Sequence, residues 1–587
     1  MALDRGFDID PQARSDASCV HCALPMVLLR APHVHLILDA KVQWSGGATM
    51  LGFRLPGKSL AARVLIFLSA VAIAAMASDL RAEEKVLRAV MHADVRVLDP
   101  MWTTATIAGI HGAMVYDTLF GNNDKGEAKP QMVGKYDVSA DKLGYSFTLR
   151  DGLKFHDGSP VASKDVIASL KRWAARDGVG QRLFGFISVL EAVDDKTFRM
   201  TLTKPYGMVL ESLGKTGTSL PVIMREVDAL VDPQTQVKEA IGSGPFKFAA
   251  SEWVPGSKAV YLKNADYVPR PGNEPASFFA GSKFAGVDRV ELVWISDPQT
   301  AQAALITGEI DFYENPSIDY YPILEKAKGV KLETTGSVDS HIGMIRLNHL
   351  HPPFNNPKAR QAMYHLVNQE DFLRAVIGDA KYYRICHGLI TCGTPLANDG
   401  GTELFKDYNP KKALQLMKEA GYNGEPIVIL ATTDHNTITP ATQVLIQAMR
   451  EAGLNVDAQA MDWGSTVTRR AKKEAPDKGG WNIFVTTTGG VGAANPILHT
   501  WIGAACDKGL FGWPCNAKLE EIRNSYGFAQ TFDDKVRIAT ELQKIAMEEV
   551  VYIPFGQWNQ LIAYRSDRLS GVVPNTGLVV LWNIVKK

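Results

Sequence analysis

Three groups of residues in this sequence have types and spacings that suit a particular chemistry. The stretch GFRLPGKS (52–59) matches the phosphate-binding pattern G-x-x-x-x-G-K-[ST] at every position. His349 and His351, in HLHPPF, have a spacing that allows them to share a metal ion. Four cysteines beyond residue 80 are candidates for disulfides. Each interpretation requires particular flanking elements, so the neighbouring sequence decides between them.

The segment around the phosphate-loop match has the organisation of a secretory signal peptide. A phosphate loop needs a buried strand before it, and the preceding WSGGATML is not strand-like. Basic residues lead instead into the apolar run VLIFLSAVAIAAM (64–76), which is shorter than the ~20 residues of a membrane span and ends in small residues. We predict a signal peptide over 50–77, cleaved after Ala77, with residues 1–49 as a gene-model extension. The mature protein is expected to be soluble in the periplasm.

Charge and cysteine content narrow the class of protein further. The chain has 63 basic and 63 acidic residues, and this balance gives no reason to expect nucleic acid as a partner. An even number of cysteines after a secretory signal favours two disulfides, for which three connectivities are possible. We favour the two local pairings, which would each close a short loop: Cys386 with Cys392, and Cys506 with Cys515.

The hydrophobic pattern alternates between strand and helix periods, which indicates a mixed α/β protein. YSFTL (145–149) followed by Asp-Gly and LKF predicts a hairpin, and Ser163 is expected to cap the next helix. Two later helices are predicted from Pro410 to the glycine at 421 and from Pro440 to the glycine at 453. Each is followed by an extended segment, at 427–430 and 454–460.

Catalytic motifs are scarce in the sequence. It contains no G-x-S-x-G nucleophile elbow and no H-E-x-x-H zinc motif. The histidines of HLHPPF have no neighbouring carboxylate or cysteine, and His156 sits at a turn, where a hydrogen bond to the loop accounts for it. We therefore expect a protein that is not an enzyme and has no cofactor. A secreted hydrolase with an unfamiliar site remains the alternative from another class.

Ten stretches, spread over nearly all of the mature chain, carry a resemblance to one known family. They are LDPMWTT (98–104), MVYDTLF (114–120), the segment 129–173, IGSGPFKF (241–248), LKNADYVP (262–269), AALITGEIDF (303–312), the segment 346–372, YNPKKALQLMKEAGY (408–422), REAGLNVDAQAMDW (450–463) and VVYIPFG (550–556). In type and order these stretches resemble the family 5 solute-binding proteins, which are extracytoplasmic receptors of ABC importers.

The resemblance implies an α/β, periplasmic-binding-protein-like fold, in which two hinged lobes close on a ligand and a small α+β domain is appended. It places lobe I at 86–131, 235–338 and 556–587, the small domain at 132–234 and lobe II at 339–555. It also implies that the protein is a monomer that delivers a peptide-like or other polar organic solute to a permease in the inner membrane. A nickel or metal-chelate receptor of the same fold is the runner-up, with His111 or His387 turned into the cleft.

The sequence departs from the family's peptide receptors at the segment 481–496, WNIFVTTTGGVGAANP. Peptide receptors of the family resemble one another in a carboxylate here that pairs with the ligand's ammonium group, whereas this segment has no acidic residue. Because burial of an unpaired ammonium costs several kcal/mol, we expect hydroxyl-rich or N-blocked ligands to suit this segment better than free-amine peptides. Its threonines and glycines offer hydroxyl groups and close backbone approach.

The candidate ligand-binding residues combine this segment with aromatic and polar residues of the resembling stretches. For each tryptophan the alternative is core packing, and for the arginine it is a solvated surface position. The candidates are Trp102, Thr103, Thr104, Arg384, Trp463, Thr487, Thr488, Gly489, Gly490, Trp501 and Trp558.

Overall fold

A computed structural model describes residues 84–123, 127–217, 219–272, 275–334, 341–405, 407–529, 531–573 and 578–587. The predicted signal peptide, the phosphate-loop match and the first two cysteines lie outside these residues. Within the described part of the chain, no helix is both long enough and apolar enough to cross a membrane.

The described strands, in chain order, are β1 (Val86–Val90), β2 (Phe120–Asn122), β3 (Ala128–Pro130), β4 (Val133–Val138), β5 (Gly144–Leu149), β6 (Ile187–Ala192), β7 (Thr197–Leu202), β8 (Phe246–Phe248), β9 (Lys258–Lys263), β10 (Arg289–Val293), β11 (Phe312–Glu314), β12 (Val330–Thr334), β13 (His341–Leu347), β14 (Tyr383–Arg384), β15 (Ile427–Thr432), β16 (Val456–Met461), β17 (Ile483–Gly489), β18 (Ile553–Trp558), β19 (Leu561–Arg565), β20 (Leu569–Ser570) and β21 (Val585–Lys586).

The described α-helices are α1 (Thr106–Val115), α2 (Ser163–Arg176), α3 (Gly178–Phe184), α4 (Val209–Leu213), α5 (Glu226–Ala229), α6 (Pro298–Thr307), α7 (Tyr321–Lys326), α8 (Pro357–Ala362), α9 (Gln369–Val376), α10 (Pro410–Glu419), α11 (Ile438–Glu451), α12 (Trp463–Arg469), α13 (Gly490–Ala493), α14 (Ala517–Ser525) and α15 (Phe532–Glu549).

A seven-stranded sheet in the order β12-β19-β11-β1-β10-β9-β8 forms the centre of the first lobe. Strand β1 lies between β10 and β11 and is parallel to both. Helix α6 connects β10 to β11, the two neighbours of β1. Asp297 caps its first turn by accepting from the Thr300 amide at 2.7 Å, and Gly308 ends it with a φ of 81°. The carboxyl ends of β1 and β11 therefore lie side by side.

A six-stranded sheet in the order β14-β18-β13-β17-β15-β16 forms the centre of the second lobe. Strand β15 is parallel to β16 and β17, and helix α11 connects β15 to β16. Strand β18 runs across the predicted lobe boundary at residue 556, while the other strands of both large sheets lie within the segments predicted for their lobes. The boundaries themselves stay a prediction.

A four-stranded antiparallel sheet in the order β4-β5-β7-β6 forms the small domain. The predicted hairpin at residues 145–155 is wrong, because β5 pairs with β4 and β7 instead. The segment after the turn forms only an isolated bridge, between Lys154 and Pro160. Ser163 is the first residue of α2 rather than its cap, and the Asp165 carboxylate accepts from the Ala162 amide at 2.8 Å.

Candidate functional site

A small cavity of about 30 Å³, here called the inner cavity, lies between the two lobes. Ligands of open α/β sheets bind at the carboxyl ends of parallel strands. Residues at or just after such strand ends in both sheets line the inner cavity. It is lined by His92, Thr104, Thr106, Glu314, Asn315, His341, His435, Thr437, Ile438, Trp463, Thr486, Thr487, Trp558 and Gln560.

The first lobe contributes a carboxylate, Glu314, held by His92. Val90 of β1 pairs with Tyr313 of β11, so the residues that follow these positions emerge next to each other. The backbone N–H of His92 donates to Glu314 Oε2 at 3.0 Å, and its Nδ1 lies 2.7 Å from the same oxygen. Burial opposes ionisation of Glu314, but His92 outweighs it and the pKa of this carboxyl is lowered. An ionised carboxylate only accepts hydrogen bonds, so His92 Nδ1 carries the proton.

The second lobe contributes His435 and Trp463, which follow β15 and β16. The Nδ1 atom of His435 accepts from the backbone N–H groups of Thr437 at 3.2 Å and Ile438 at 3.3 Å, so its Nε2 carries the hydrogen. Burial lowers the pKa of His435 to about 3. The indole Nε1 of Trp463 is buried and has no hydrogen-bond partner among the described residues.

His341 and Trp558 form the remaining wall of the inner cavity. They face each other as a register pair of β13 and β18, and their rings stack with centroids 5.9 Å apart. Desolvation between the lobes lowers the pKa of His341 to about 4, which keeps it neutral at physiological pH. Its Nδ1 atom is buried without a hydrogen-bond partner in the described part of the chain.

A second, wider cavity of about 530 Å³, here called the outer cavity, shares Thr104 with the inner one. Trp102 of the first lobe lines it, with the Arg176 guanidinium 5.7 Å from its ring. The opposite wall is the loop 506–515. A disulfide between Cys506 and Cys515 closes this loop, and another joins Cys386 to Cys392, so both local pairings are present in the structure.

A third cavity of about 30 Å³, here called the glycine cavity, lies where β17 leads into α13. It is lined by Thr488, Gly489 and Trp501 of the candidate set, with Lys215 on the opposite side. A Cβ atom added at Gly492, which also lines this cavity, would meet nothing within 4 Å. This part of the segment 481–496 therefore has room for additional atoms.

The structure places most of the predicted ligand-binding residues at these three cavities. Thr104, Trp463, Thr487 and Trp558 line the inner cavity, and Trp102 lines the outer cavity. Thr488, Gly489 and Trp501 line the glycine cavity. Three candidates line none of them: Thr103, which accepts from the Ala105 amide; Gly490, whose carbonyl accepts from Thr391; and Arg384, which is exposed on β14. Whether any of these residues binds a ligand stays a prediction.

Neither histidine expected for a metal-chelate receptor lies in the cleft. His111 is buried in the first lobe, with Nδ1 3.0 Å from the Tyr261 hydroxyl, and burial lowers its pKa to about 3. His387 stacks on Phe405 with ring centroids 4.9 Å apart. Among the described residues, no group of three or more histidine, cysteine or acidic side chains is arranged to hold a metal ion.

Three polar contacts join the lobes around the inner cavity. Arg470 Nη2 donates to Thr104 Oγ1 at 2.8 Å, Asn315 Nδ2 donates to Thr437 Oγ1 at 3.3 Å, and Arg96 lies 3.1 Å from the Asp462 carboxylate. A volume of about 30 Å³ holds one or two water molecules. The structure is therefore a closed arrangement, and a larger solute can enter the inner cavity only when the lobes separate.

Comparison with known families accounts for this two-lobed cleft. Residues 127–505 match the family described as "Bacterial extracellular solute-binding proteins, family 5 Middle". The chain belongs to this family. The match confirms the resemblance seen in the sequence motifs, and it makes the protein a solute-binding component of an ABC importer. The metal-chelate alternative is not favoured.

Relatives of this solute-binding protein cover nearly its whole described length. A protein of Sinorhizobium fredii described as "Probable peptide ABC transporter periplasmic-binding protein y4tO" is 41% identical over 510 residues, which is 86% of this chain and 94% of that one. The glutathione-binding protein GsiB of Escherichia coli O1:K1 / APEC is 25% identical over 532 residues, covering 86% and 96% of the two chains.

Two solved structures share the fold of this solute-binding protein. The periplasmic binding protein DppA from Helicobacter pylori, in complex with the peptide STSA, has a TM-score of 0.70 at 22% identity and covers 86% of this chain and 98% of its own. The protein AgaA from A. tumefacien R10, in complex with agropinic acid, has a TM-score of 0.71 at 22% identity, covering 86% and 99%. The two-lobed α/β fold is thereby confirmed.

Local sequence patterns did not identify His92 and Glu314, the titratable residues that the first lobe contributes. His92 and Glu314 are 222 positions apart, and neither lies in a recognisable motif. The available signal was positional: His92 lies two residues after β1 and Glu314 is the last residue of β11, and carboxyl ends of parallel strands meet at a cleft. Using that signal requires knowing that β1 and β11 are neighbours. His341 and His435 were missed for the same reason on the second sheet.

Proposed function

We propose that this solute-binding protein captures a peptide-like or other polar organic solute between its lobes and presents it to its permease. The 41% identical relative described as a probable peptide-binding protein supports this ligand class. We further propose that the signal peptide at 50–77 exports the protein to the periplasm, with cleavage after Ala77, and that the mature protein acts as a monomer without catalysis.

The composition of the inner cavity is the observation that carries the proposal. Both lobes supply polar walls, so a solute held there contacts both lobes only when they are closed. Two buried polar atoms at this cavity, Trp463 Nε1 and His341 Nδ1, lack hydrogen-bond partners among the described residues. Because buried polar groups in native proteins are nearly always paired, a polar solute with amide, hydroxyl or carboxylate groups is a fitting partner.

Glu314 is the residue we propose for an amine of the solute. The segment 481–496 provides no carboxylate, but Glu314 lines the same cavity from the opposite lobe. An ionised carboxylate near a solute ammonium supplies the counter-charge that a buried cation needs. Free-amine peptides are therefore restored as candidates alongside the hydroxyl-rich and N-blocked solutes that the sequence favoured.

Binding in such a cleft operates by a population shift. A solute that contacts both lobes favours the closed form by the difference in its affinity for the closed and open forms. The three inter-lobe contacts of Arg470, Asn315 and Arg96 add to the stability of the closed form. Closure brings together surfaces of both lobes, which a permease can distinguish from the open receptor.

A thermal-unfolding screen of the exported protein tests the proposed function. The panel comprises free di- and tripeptides, their N-acetylated forms, opine-type conjugates, sugars and nickel chelates. A solute at a hundred times its Kd adds about 2.7 kcal/mol of stability, which is a measurable shift for a protein of this size. Saturable shifts with peptides or polar conjugates support the proposal. Shifts only with nickel chelates, or turnover of a bound solute, would contradict it.

A further inference from the structure

A fourth cavity, of about 270 Å³, lies between the small domain and the second lobe, away from the inner cavity. We call it the arginine cavity. Arg176, Gln181 and Arg182 line it from α2 and α3, and Lys508, Glu520 and Arg523 line it from the second lobe. It shares Arg176, Gln181 and Lys508 with the outer cavity, so the two are neighbours along the cleft.

The charged groups that line the arginine cavity carry a strong excess of positive charge. Four cationic side chains face one carboxylate, Glu520. Burial opposes ionisation of Glu520, but Arg523 and Arg182 outweigh it and lower its pKa to about 2. Asp177, another nearby acid, is already paired with Lys215 at 3.0 Å, and Asp99 and Asp232 are close enough to favour the charge of Arg176. Among the side chains that line the cavity itself, the cations still outnumber the carboxylates.

Two of the arginines are incompletely satisfied. The Arg182 side chain is only 4% exposed, and Nη2 lies 2.7 Å from Glu520 while Nη1 contacts the Asn524 amide oxygen. Its buried Nε has no hydrogen-bond partner in the described part of the chain, and the same holds for Nε of Arg176. Arg176 uses its terminal nitrogens on the Trp102 carbonyl and on Gln234, neither of which carries charge. Each of these guanidinium groups therefore has an Nε–H available to donate to an oxyanion.

We propose that the arginine cavity binds a small oxyanion, such as phosphate, sulfate or a carboxylate group. Its volume admits such an anion together with several water molecules, and its cationic groups come from both sides of the junction. An anion held there links Arg176 and Arg182 of the small domain to Lys508 of the second lobe, and so stabilises the closed form. This inference does not depend on the proposed solute, because the site lies outside the inner cavity.

Calorimetric titration of the exported protein with sodium phosphate, at constant ionic strength set with sodium chloride, tests the proposal. We expect saturable binding and a matching rise in the unfolding temperature. Phosphate and sulfate also stabilise proteins by exclusion from their surfaces, so the variants are essential. K508Q removes one exposed cation while leaving the Lys508 carbonyl that accepts from Gln181 at 3.0 Å. K472Q, on an exposed lysine of the same lobe that does not line this cavity, is the matched control.

The expected results separate a built site from a general salt effect. K508Q should weaken phosphate binding about three- to fivefold and R176Q about tenfold or more, while K472Q leaves it unchanged. An unsaturable shift that is equal in all variants would overturn the proposal. To find the source of the oxyanion, each carboxylic acid of the solute panel is compared with its neutral amide. Tighter binding of the acid, lost in R176Q, identifies a group of the solute, and binding of phosphate alone identifies a free ion.

Discussion

Arg470 of the second lobe donates from Nη2 to Thr104 Oγ1 of the first lobe at 2.8 Å, directly beside the inner cavity. Its guanidinium is buried among three aromatic rings, with centroid distances of 5.4 Å to Trp463, 5.6 Å to Phe484 and 5.0 Å to Phe511. Burial lowers the pKa of Arg470 to about 9, so it remains charged at neutral pH. The hydroxyl of the opposite lobe thus gives this buried cation a hydrogen-bond acceptor only in the closed form.

Thr104→Val should weaken solute binding more than it weakens the fold. Valine keeps the shape of threonine but removes the acceptor for Arg470, at a cost of about 1.5–3 kcal/mol to the closed form. We expect about 10- to 100-fold weaker binding of any solute found in the screen, measured by calorimetry. Thr103→Val is the control, because the Thr103 hydroxyl accepts from the nearby Ala105 amide at 3.2 Å, within the same lobe. Equal losses of affinity in both variants would contradict a role in closure.

Glu314→Gln should discriminate between free-amine and N-blocked solutes. Glutamine keeps the size of the side chain but removes the negative charge that we assign to a solute ammonium. Free-amine peptides should bind about tenfold or more weakly, while their N-acetyl forms are little affected. Glu333→Gln serves as the control, because Glu333 bonds the Tyr564 hydroxyl outside the inner cavity. An equal loss for both peptide forms would remove the ammonium assignment and leave Glu314 as a support for His92.

The stability of the protein should fall between pH 6.5 and about 3 because of His435. Burial holds its folded-state pKa at about 3, below the ordinary value of 6.5. Between these two pH values the unfolded chain binds a proton at His435 and the folded state does not. The contribution of His435 to the free energy of unfolding is therefore complete above pH 6.5 and is lost as the pH falls. Each unit of pKa difference is worth about 1.4 kcal/mol. Urea unfolding at several pH values measures the slope.

His435→Asn is the variant that isolates this effect. The asparagine side chain offers an oxygen to the Thr437 and Ile438 amides, as His435 Nδ1 does, but it does not titrate. The variant should show a shallower fall in stability between pH 6.5 and pH 4. A slope unchanged in His435→Asn would contradict the prediction.

The helices of the second lobe illustrate what local sequence specifies. The pattern Asn409-Pro410 predicted a helix start, and Asn409 does accept from the Lys412 amide at 3.1 Å, while Gly421 follows the helix with a φ of 97°. Capping and termination depend on a few adjacent residues, so they can be predicted without the fold. Sheet pairing is different. The partners of β5 are set by packing with β4 and β7, and the Asp-Gly turn after it was misread as a hairpin.

The same distinction applies to the candidate site. Trp463 and Trp558 were predicted because they lie in or next to segments that resemble cleft-lining parts of the family. Thr487 was predicted because its segment, which lacks the carboxylate of the family's peptide receptors, offers hydroxyl groups instead. His92 and Glu314 required the register of β1 with β11, which no local pattern encodes. The positive charge of the arginine cavity is likewise produced by packing of the small domain on the second lobe. The overall composition does not indicate this local charge, because the whole chain has equal numbers of basic and acidic residues.

Removal of the Cys506–Cys515 disulfide should weaken both the fold and the arginine cavity. The bond closes a loop with a sequence separation of 9, and Lys508, Gly509 and Leu510 of that loop line the cavity. Replacing both cysteines by serine should cost about 2–3 kcal/mol of stability, measured by urea unfolding, and lower phosphate affinity. The Cys386–Cys392 pair, with a separation of 6 and no residue at this cavity, provides the matched double variant. It should lose stability but retain phosphate binding.

Asn495→Asp should not create affinity for free-amine peptides, although it adds a carboxylate to the segment 481–496. Asn495 Oδ1 accepts from the Ile497 amide at 2.8 Å and the Leu498 amide at 3.3 Å, so it stabilises a turn and lines none of the four cavities. An aspartate keeps both bonds and adds its charge away from the solute. We expect calorimetric affinities within about threefold of wild type.

Gly492→Asp is the variant to compare with Asn495→Asp. The family resemblance implies that the ammonium-pairing carboxylate of the peptide receptors lies nearer Gly492 than Asn495. Gly492 lines the glycine cavity, and an added Cβ meets nothing within 4 Å. A carboxylate introduced there can enter the cleft without displacing neighbouring atoms, so we expect tighter binding of free-amine peptides and no gain for N-acetyl forms. If Asn495→Asp gains peptide affinity and Gly492→Asp does not, the alignment of the segment 481–496 with the peptide receptors is shifted, and the carboxylate position belongs at Asn495.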